Sequence, residues 1–140
     1  MHGSFRALEA ALIVGVRDRE RSERVLAVAL VEHGLALSVI DESRLVHAAA
    51  EEELSTVWKS VTGIARMKAL REGARAEVAR AAEGVSLALS RAGLAATQVV
   101  KSRHSVSETS AAEEAIRRVL RGKREEARRV RLLRAEEDLE

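Results

Sequence analysis

The sequence predicts an all-α protein, a long antiparallel two-helix coiled-coil hairpin, with a compact helical bundle as the alternative. Three observations carry this expectation. A seam with 3,4 spacing runs through Phe5, Leu8, Leu12, Gly15, Arg19, Ser22, Leu26, Ala29, His33, Ala36, Ile40, Ser43, His47, Ala50, Leu54, Val57, Val61 and Ile64, the signature of a narrow stripe buried against a partner helix. Proline is absent from all 140 residues, so nothing forbids very long helices. Charged residues reach 33% while Phe5 and Trp58 are the only aromatic side chains. Ordinary globular proteins carry roughly 25% charge and fill their cores with several large rings, so a thin, extended molecule is expected.

The first helix is expected over about residues 5–62, with Ser4 as its N-cap. Its Ala, Leu, Glu and Arg content favours helix. Gly15 and Gly34 each cost about 1 kcal/mol relative to alanine, yet no proline or cluster of turn formers accompanies them. A β-hairpin over residues 25–31 and 35–40 is the rival reading. Alanine and leucine fill most of those positions without strand-like alternation, which favours helix.

The chain is expected to reverse over about residues 63–76, where Gly63 and Gly73 fall near the middle of the sequence. A second helix follows over about 77–135, with a seam at Val78, Ala82, Val85, Leu89, Ala92, Ala96 and Val99. That seam loses phase over residues 102–110, the only Ser-rich stretch. Ser105 with Glu108 and Ser110 with Glu113 read there as capping signatures, so a break or a stutter is expected. An acidic tail, 136–140, closes the sequence, and the whole is taken as one domain.

Composition narrows the function. Cysteine is absent, which excludes disulfides and thiolate metal sites. The apolar runs 10–16 and 25–40 are too short or too interrupted to span a bilayer, and neither ends in a signal-peptidase site, so a cytoplasmic location is expected. The net charge is only +2, which leaves any basic signal local.

No phosphate loop surrounds Gly122 and Lys123, and no spaced glycine fingerprint for dinucleotides exists. No Glu-x-x-His pair precedes His33, His47 or His104, against a di-iron bundle. His47 and Glu51 stand one turn apart, but two ligands do not close a metal site. His33, His47 and Arg19 read instead as polar register markers on the seam. With no recognisable nucleophile turn and no concave pocket expected of paired helices, the chain reads as a non-enzyme without cofactor or metal.

The strongest local feature is basic. Residues 117–134 hold nine arginines and lysines against two glutamates. Such a segment fits acidic protein, nucleic-acid phosphate or anionic lipid, or a solvated face whose arginines suit a helix C-terminus. Against nucleic acid stand the acidic tail and the lack of stacking aromatics. In an antiparallel hairpin Arg17, Arg19, Arg21 and Arg24 are expected near the level of residues 121–131, gathering charge at one end.

The opening Phe5-Arg6-Ala7-Leu8, the Arg/Glu-rich 16–24, the midpoint Thr62-Gly63-Ile64-Ala65 and the charged terminus 134–140 together resemble the FliJ family of flagellar export proteins and its YscO-type relatives in virulence type III secretion. The resemblance implies an antiparallel coiled-coil stalk similar to the shaft of rotary ATPases. Its implied partners are the export ATPase hexamer, the export gate protein and substrate chaperones, with membrane association only through them. On that reading Arg17, Arg19, Arg21, Arg124, Arg128 and Arg131 meet acidic surfaces of the ring. The competing functions are a nucleic-acid-binding helical protein and a helical-bundle chaperone or scaffold.

Overall fold

The computed structural model describes residues 2–59 and 64–139, with side chains described for 4–59 and 66–139. Two helices account for nearly all of them: α1, His2–Lys59, of 58 residues, and α2, Ile64–Glu137, of 74 residues. They pack antiparallel as a helical hairpin. The last turn of each holds a basic residue, Lys59 in α1 and Arg134 in α2, where a cation complements the helix dipole. Residues 25–40, the site of the rival strand reading, are helical throughout.

The seam of α1 is the one its spacing predicts. Every member from Phe5 to Val57 is buried or half-buried, and only Ala11 and Val16 join them among the described residues of that helix. With Phe5 at heptad position a and Leu8 at d, the repeat continues without interruption. Val61 and the side chain of Ile64 lie outside the described residues.

The seam of α2 keeps the expected Val78, Val85, Ala92 and Val99, but the positions between them shift by one residue and the seam is continuous. From Ala74 onward the covered residues repeat as Ala74, Val78, Ala81, Val85, Ala88, Ala92, Ala95, Val99 and Ser102. Ala88 rather than Leu89 points into the seam, and Ala81 rather than Ala82. In each neighbouring pair both residues are apolar, so the larger or later one passes for core when hydrophobicity alone is counted. The observed phase continues further along, where Thr109, Glu113, Ile116, Leu120 and Lys123 keep the same spacing.

Consequently there is no break or stutter at 102–110: α2 runs straight through it. The apparent slip is a polar stretch of an unbroken seam. Ser102 and Glu113 are buried there, Ser105 Oγ lies 3.3 Å from Ser22 Oγ, and Thr109 Oγ1 donates back to the Ser105 carbonyl at 3.0 Å. None of these serines caps a helix. Of the reversal expected over 63–76, residue 63 lies outside the described residues and 64–76 are helical, Gly73 included. Ser4 is likewise not a cap, since α1 begins at His2. Its hydroxyl accepts a hydrogen bond from Lys123 Nζ at 2.5 Å.

Contacts gather the hairpin into two units. Unit 1 joins Met1–Ala27 to Lys101–Glu140, and unit 2 is Val28–Val100. Unit 1 holds the buried Leu120, together with the polar seam residues. The helices pack together at Gly15, where a Cβ would sit in ordinary van der Waals contact with Ile116 Cδ1 at 3.6 Å and Glu113 Cα at 3.8 Å. Unit 2 is lined mainly by alanine: Ala29, Ala74, Ala88 and Ala92 are buried, with Ile40 packed on Ala88, Ala92 and Ala36. Small side chains allow close helix contact but withdraw little apolar area from water. Much of the larger apolar material therefore stays outside, including Val31, Leu35, Leu45 and Leu94. No described helix is long and apolar enough to cross a membrane.

Candidate functional site

Unit 1 contains all six arginines singled out in the sequence, and the structure separates them into distinct environments. Arg19 occupies an a position and turns into the seam. Its Nε donates to Glu113 on α2, and its Nη1 reaches Glu23 one turn away at 2.9 Å. Glu113 is bound a second time by Arg117, whose Nη2 and Nε approach Oε1 at 2.8 and 3.0 Å. These two guanidinium groups, Arg117 first and Arg19 next, hold the Glu113 carboxyl below its ordinary pKa. The Arg19 guanidinium is pushed up in turn, chiefly by its hydrogen bond to Glu113. Arg19 is thus engaged within the hairpin by Glu113 and Glu23.

Arg17 and Arg21 stand on the outer face of α1, exposed and without an ion pair to any described residue. They are not level with the arginines near the end of α2. Arg19 pairs with Glu113, whereas Arg124 meets Glu9, at 3.7 Å. Ten residues separate Glu9 from Arg19, about 15 Å along a helix. The expected gathering of residues 17–24 with 121–131 at one level therefore does not occur. The register set by the seam places the first group opposite the polar stretch of α2 instead.

What remains at the end of α2 is a different surface. Beyond Ala127 every described residue of the helix is exposed. Arg128, Arg129 and Arg134 make no ion pair with described residues, and Arg131 spends only its Nε on the Ala127 carbonyl, at 3.4 Å. Val130, Leu132 and Leu133 lie exposed among them. Upstream, by contrast, Arg117, Arg118 and Arg121 are engaged by Glu113 and Glu114. Of the nine basic residues in 117–134, those past Ala127 are the ones left open to an acidic partner.

Unit 2 offers two lesser features. Trp58 is half exposed, with the Arg71 guanidinium 3.5 Å from its ring centroid and that of Arg75 at 5.3 Å. Arg71 Nε has no hydrogen-bond partner, so the stacked ring face is its main contact. An open groove lies along Glu42, Val46, Glu53, Glu77, Arg80 and Gly84. It is lined by carboxylates, one cation and the Ser43 hydroxyl. His47 Nε2 meets Glu51 Oε1 directly at 3.5 Å, and His104 Nε2 meets Glu108 at 2.9 Å. Among the described residues no three His, Cys, Asp or Glu side chains gather as metal ligands.

Sequence reasoning missed Glu113, which had been read as a capping residue, and Glu9 as the partner of Arg124. The signal for Glu113 was present: it continues the heptad phase of Val85, Ala92 and Val99. Comparison with known proteins finds no family model that matches the chain, no curated protein that matches it and no similar solved structure.

Proposed function

We propose that the chain is a non-enzymatic helical-hairpin adaptor that binds an acidic protein surface through the exposed arginine-rich end of α2. The observation that carries this reading is the contrast along residues 117–134. Upstream arginines are consumed by Glu113 and Glu114, whereas Arg128, Arg129 and Arg134 are left without acidic partners. Exposed leucines beside them add apolar contact to the charge, a combination suited to a protein partner. Acidic counterparts would steer such an encounter and set its salt dependence.

In the specific form that the resemblance to the FliJ and YscO-type proteins suggests, the acidic surface belongs to an export ATPase ring, with the export gate and substrate chaperones as further partners. Arg128 and Arg131 carry the contact in this reading, with Arg124 beside them. Arg17 and Arg21 provide a separate outward pair.

The test mixes the protein with the export ATPase of its own organism and measures hexamer formation and ATP turnover. The expected result is stimulation that fades with added salt and is lost in Arg128→Glu with Arg131→Glu. No change in either readout with the wild-type chain would refute the assignment to that machine. A wild-type effect that survives the double reversal would refute the assignment of these arginines.

A further inference from the structure

The open groove of unit 2 has a chemistry that answers the exposed end of α2. Small or apolar side chains form its floor, Val46 and Ala50 from α1 and Ala81 and Gly84 from α2, with the Ser43 hydroxyl among them, and it encloses about 780 Å³. The floor is accessible, since Val46 is 61% exposed and a Cβ built on Gly84 meets nothing within 4 Å. Around it stand Glu42, Glu53 and Glu77, with Arg80 as the one cation. All three carboxylates are exposed, and none pairs with a cation among the described residues.

The end of α2 presents the converse. Helical spacing puts Val130, Leu133 and Glu137 on one face, with Arg129 and Arg134 on its two flanks. Val130 is 42% exposed and Leu133 59%, and neither arginine has an acidic partner among the described residues. Residues 128–137 make about 14 Å of helix, and the groove runs for about 17 Å along residues 42–53. Two apolar side chains thus match an apolar floor, two arginines match carboxylates on the rim, and Glu137 answers Arg80.

We infer that the groove of one copy binds the α2 end of a second copy. The α2 end and one wall of the groove belong to the same unbroken helix, so these two surfaces meet only between copies. Charge selects this occupant. Groove against groove opposes carboxylates, and end against end opposes arginines, whereas groove against end brings unlike charges together. The exchange closes as a pair where it is reciprocal and otherwise runs on as a chain. One short helix face covers less than the roughly 1,000 Å² of a stable interface, so each contact is weak and gives way to a stronger acidic partner. The inference rests on the adaptor reading in taking the same arginines as a surface for acidic groups, while the groove plays no part in that reading.

Sedimentation equilibrium of the full chain over a wide concentration range, at about 0.02 M and about 0.5 M salt, is the test. In low salt the average mass should rise with concentration to twice 15.3 kDa or beyond, and in high salt it should return to that of one chain. Glu53→Gln with Glu77→Gln, and separately Arg129→Gln with Arg134→Gln, should each weaken association about tenfold or more. Gly84→Leu, which fills the groove, should do the same. Glutamine and leucine both favour helix, and far-ultraviolet circular dichroism checks that each variant stays helical. The decisive sample mixes the two double variants. One keeps its end and the other its groove, so the mixture should form a one-to-one dimer that neither forms alone. A wild-type monomer at every concentration in low salt overturns the inference, as does association that survives the double variants or a mixture that stays monomeric. The groove variants keep every arginine, which separates the two readings. A chain that fails here yet stimulates the export ATPase loses only this inference, and one that associates here without stimulating it loses only the adaptor role.

Discussion

Replacing Leu120 by alanine should cost about 2.5 kcal/mol of stability, and the number follows from its place in unit 1. Leu120 is only 2% exposed, the most completely covered apolar side chain among the described residues. The change removes roughly three methylene equivalents at about 0.8 kcal/mol each. Leu→Ala losses in closed cores reach about 5 kcal/mol because a cavity is left behind. A seam between two helices is open at both edges and can settle, which places the value near the lower end. Urea unfolding followed by far-ultraviolet circular dichroism is the assay. For a slope of about 1–3 kcal/mol per molar urea, the midpoint should fall by about 1 M or more. The control is Val119→Ala, one residue away and 48% exposed, which should shift stability by no more than about 0.5 kcal/mol. Hydrogen exchange should localise the Leu120 loss to amides of unit 1. Equal effects of the two substitutions would refute the heptad assignment of α2 beyond residue 102.

Glu113 should give the hairpin an acid-sensitive limb. Its carboxyl is held below the ordinary range by Arg117 and Arg19, so its stabilising effect is complete above the ordinary glutamate pKa and is lost as pH falls through the lowered value. Thermal unfolding should show Glu113→Gln less stable than wild type at neutral pH and flatter in acid, and identical profiles would sink the claim. Gly73→Ala and Gly122→Ala, both in helix interiors with open space at the new Cβ, should each raise stability by up to about 1 kcal/mol, with a lower urea midpoint as the contrary result. Arg71→Ala should expose the ring of Trp58, the only tryptophan, and red-shift its fluorescence. The accompanying loss of about 0.5–1 kcal/mol is that of an exposed cation–π contact, and an unchanged emission maximum would argue against the stacking.

The α1 seam was legible because one stretch of sequence states it fully. From Phe5 to Val57 the apolar or small residues recur with few ambiguous neighbours, and the polar exceptions keep phase. The α2 seam was less legible because Ala81 and Ala82, or Ala88 and Leu89, are equivalent by hydrophobicity. Their choice is settled by what α1 presents to them, which a single helix's pattern does not contain. The same reason explains the misread serines. Ser105 looks like a cap until Ser22 is seen across from it, and Glu113 resembles a capping partner until Arg19 arrives from α1. Of the candidate site, the presence of the basic segment was readable, but its division into engaged and free arginines depends on register. Arg19 was readable as a register device and was also assigned to a partner surface; its guanidinium is engaged by Glu113 and Glu23.

The matched polar residues of unit 1 also bear on how the hairpin finds its pairing. An alanine-lined seam is nearly periodic, so sliding α2 along α1 by one heptad, about 10 Å, would exchange one set of small residues for another at little cost. Such slipped pairings are the natural kinetic traps of a long antiparallel hairpin. One heptad away, Arg19 would face Val106 or Leu120 in place of Glu113, and its guanidinium would enter the seam with no carboxylate to receive it. The Arg19–Glu113 ion pair, set among serines, thereby disfavours the neighbouring registers and helps set which arginines of α2 are left uncovered at its end.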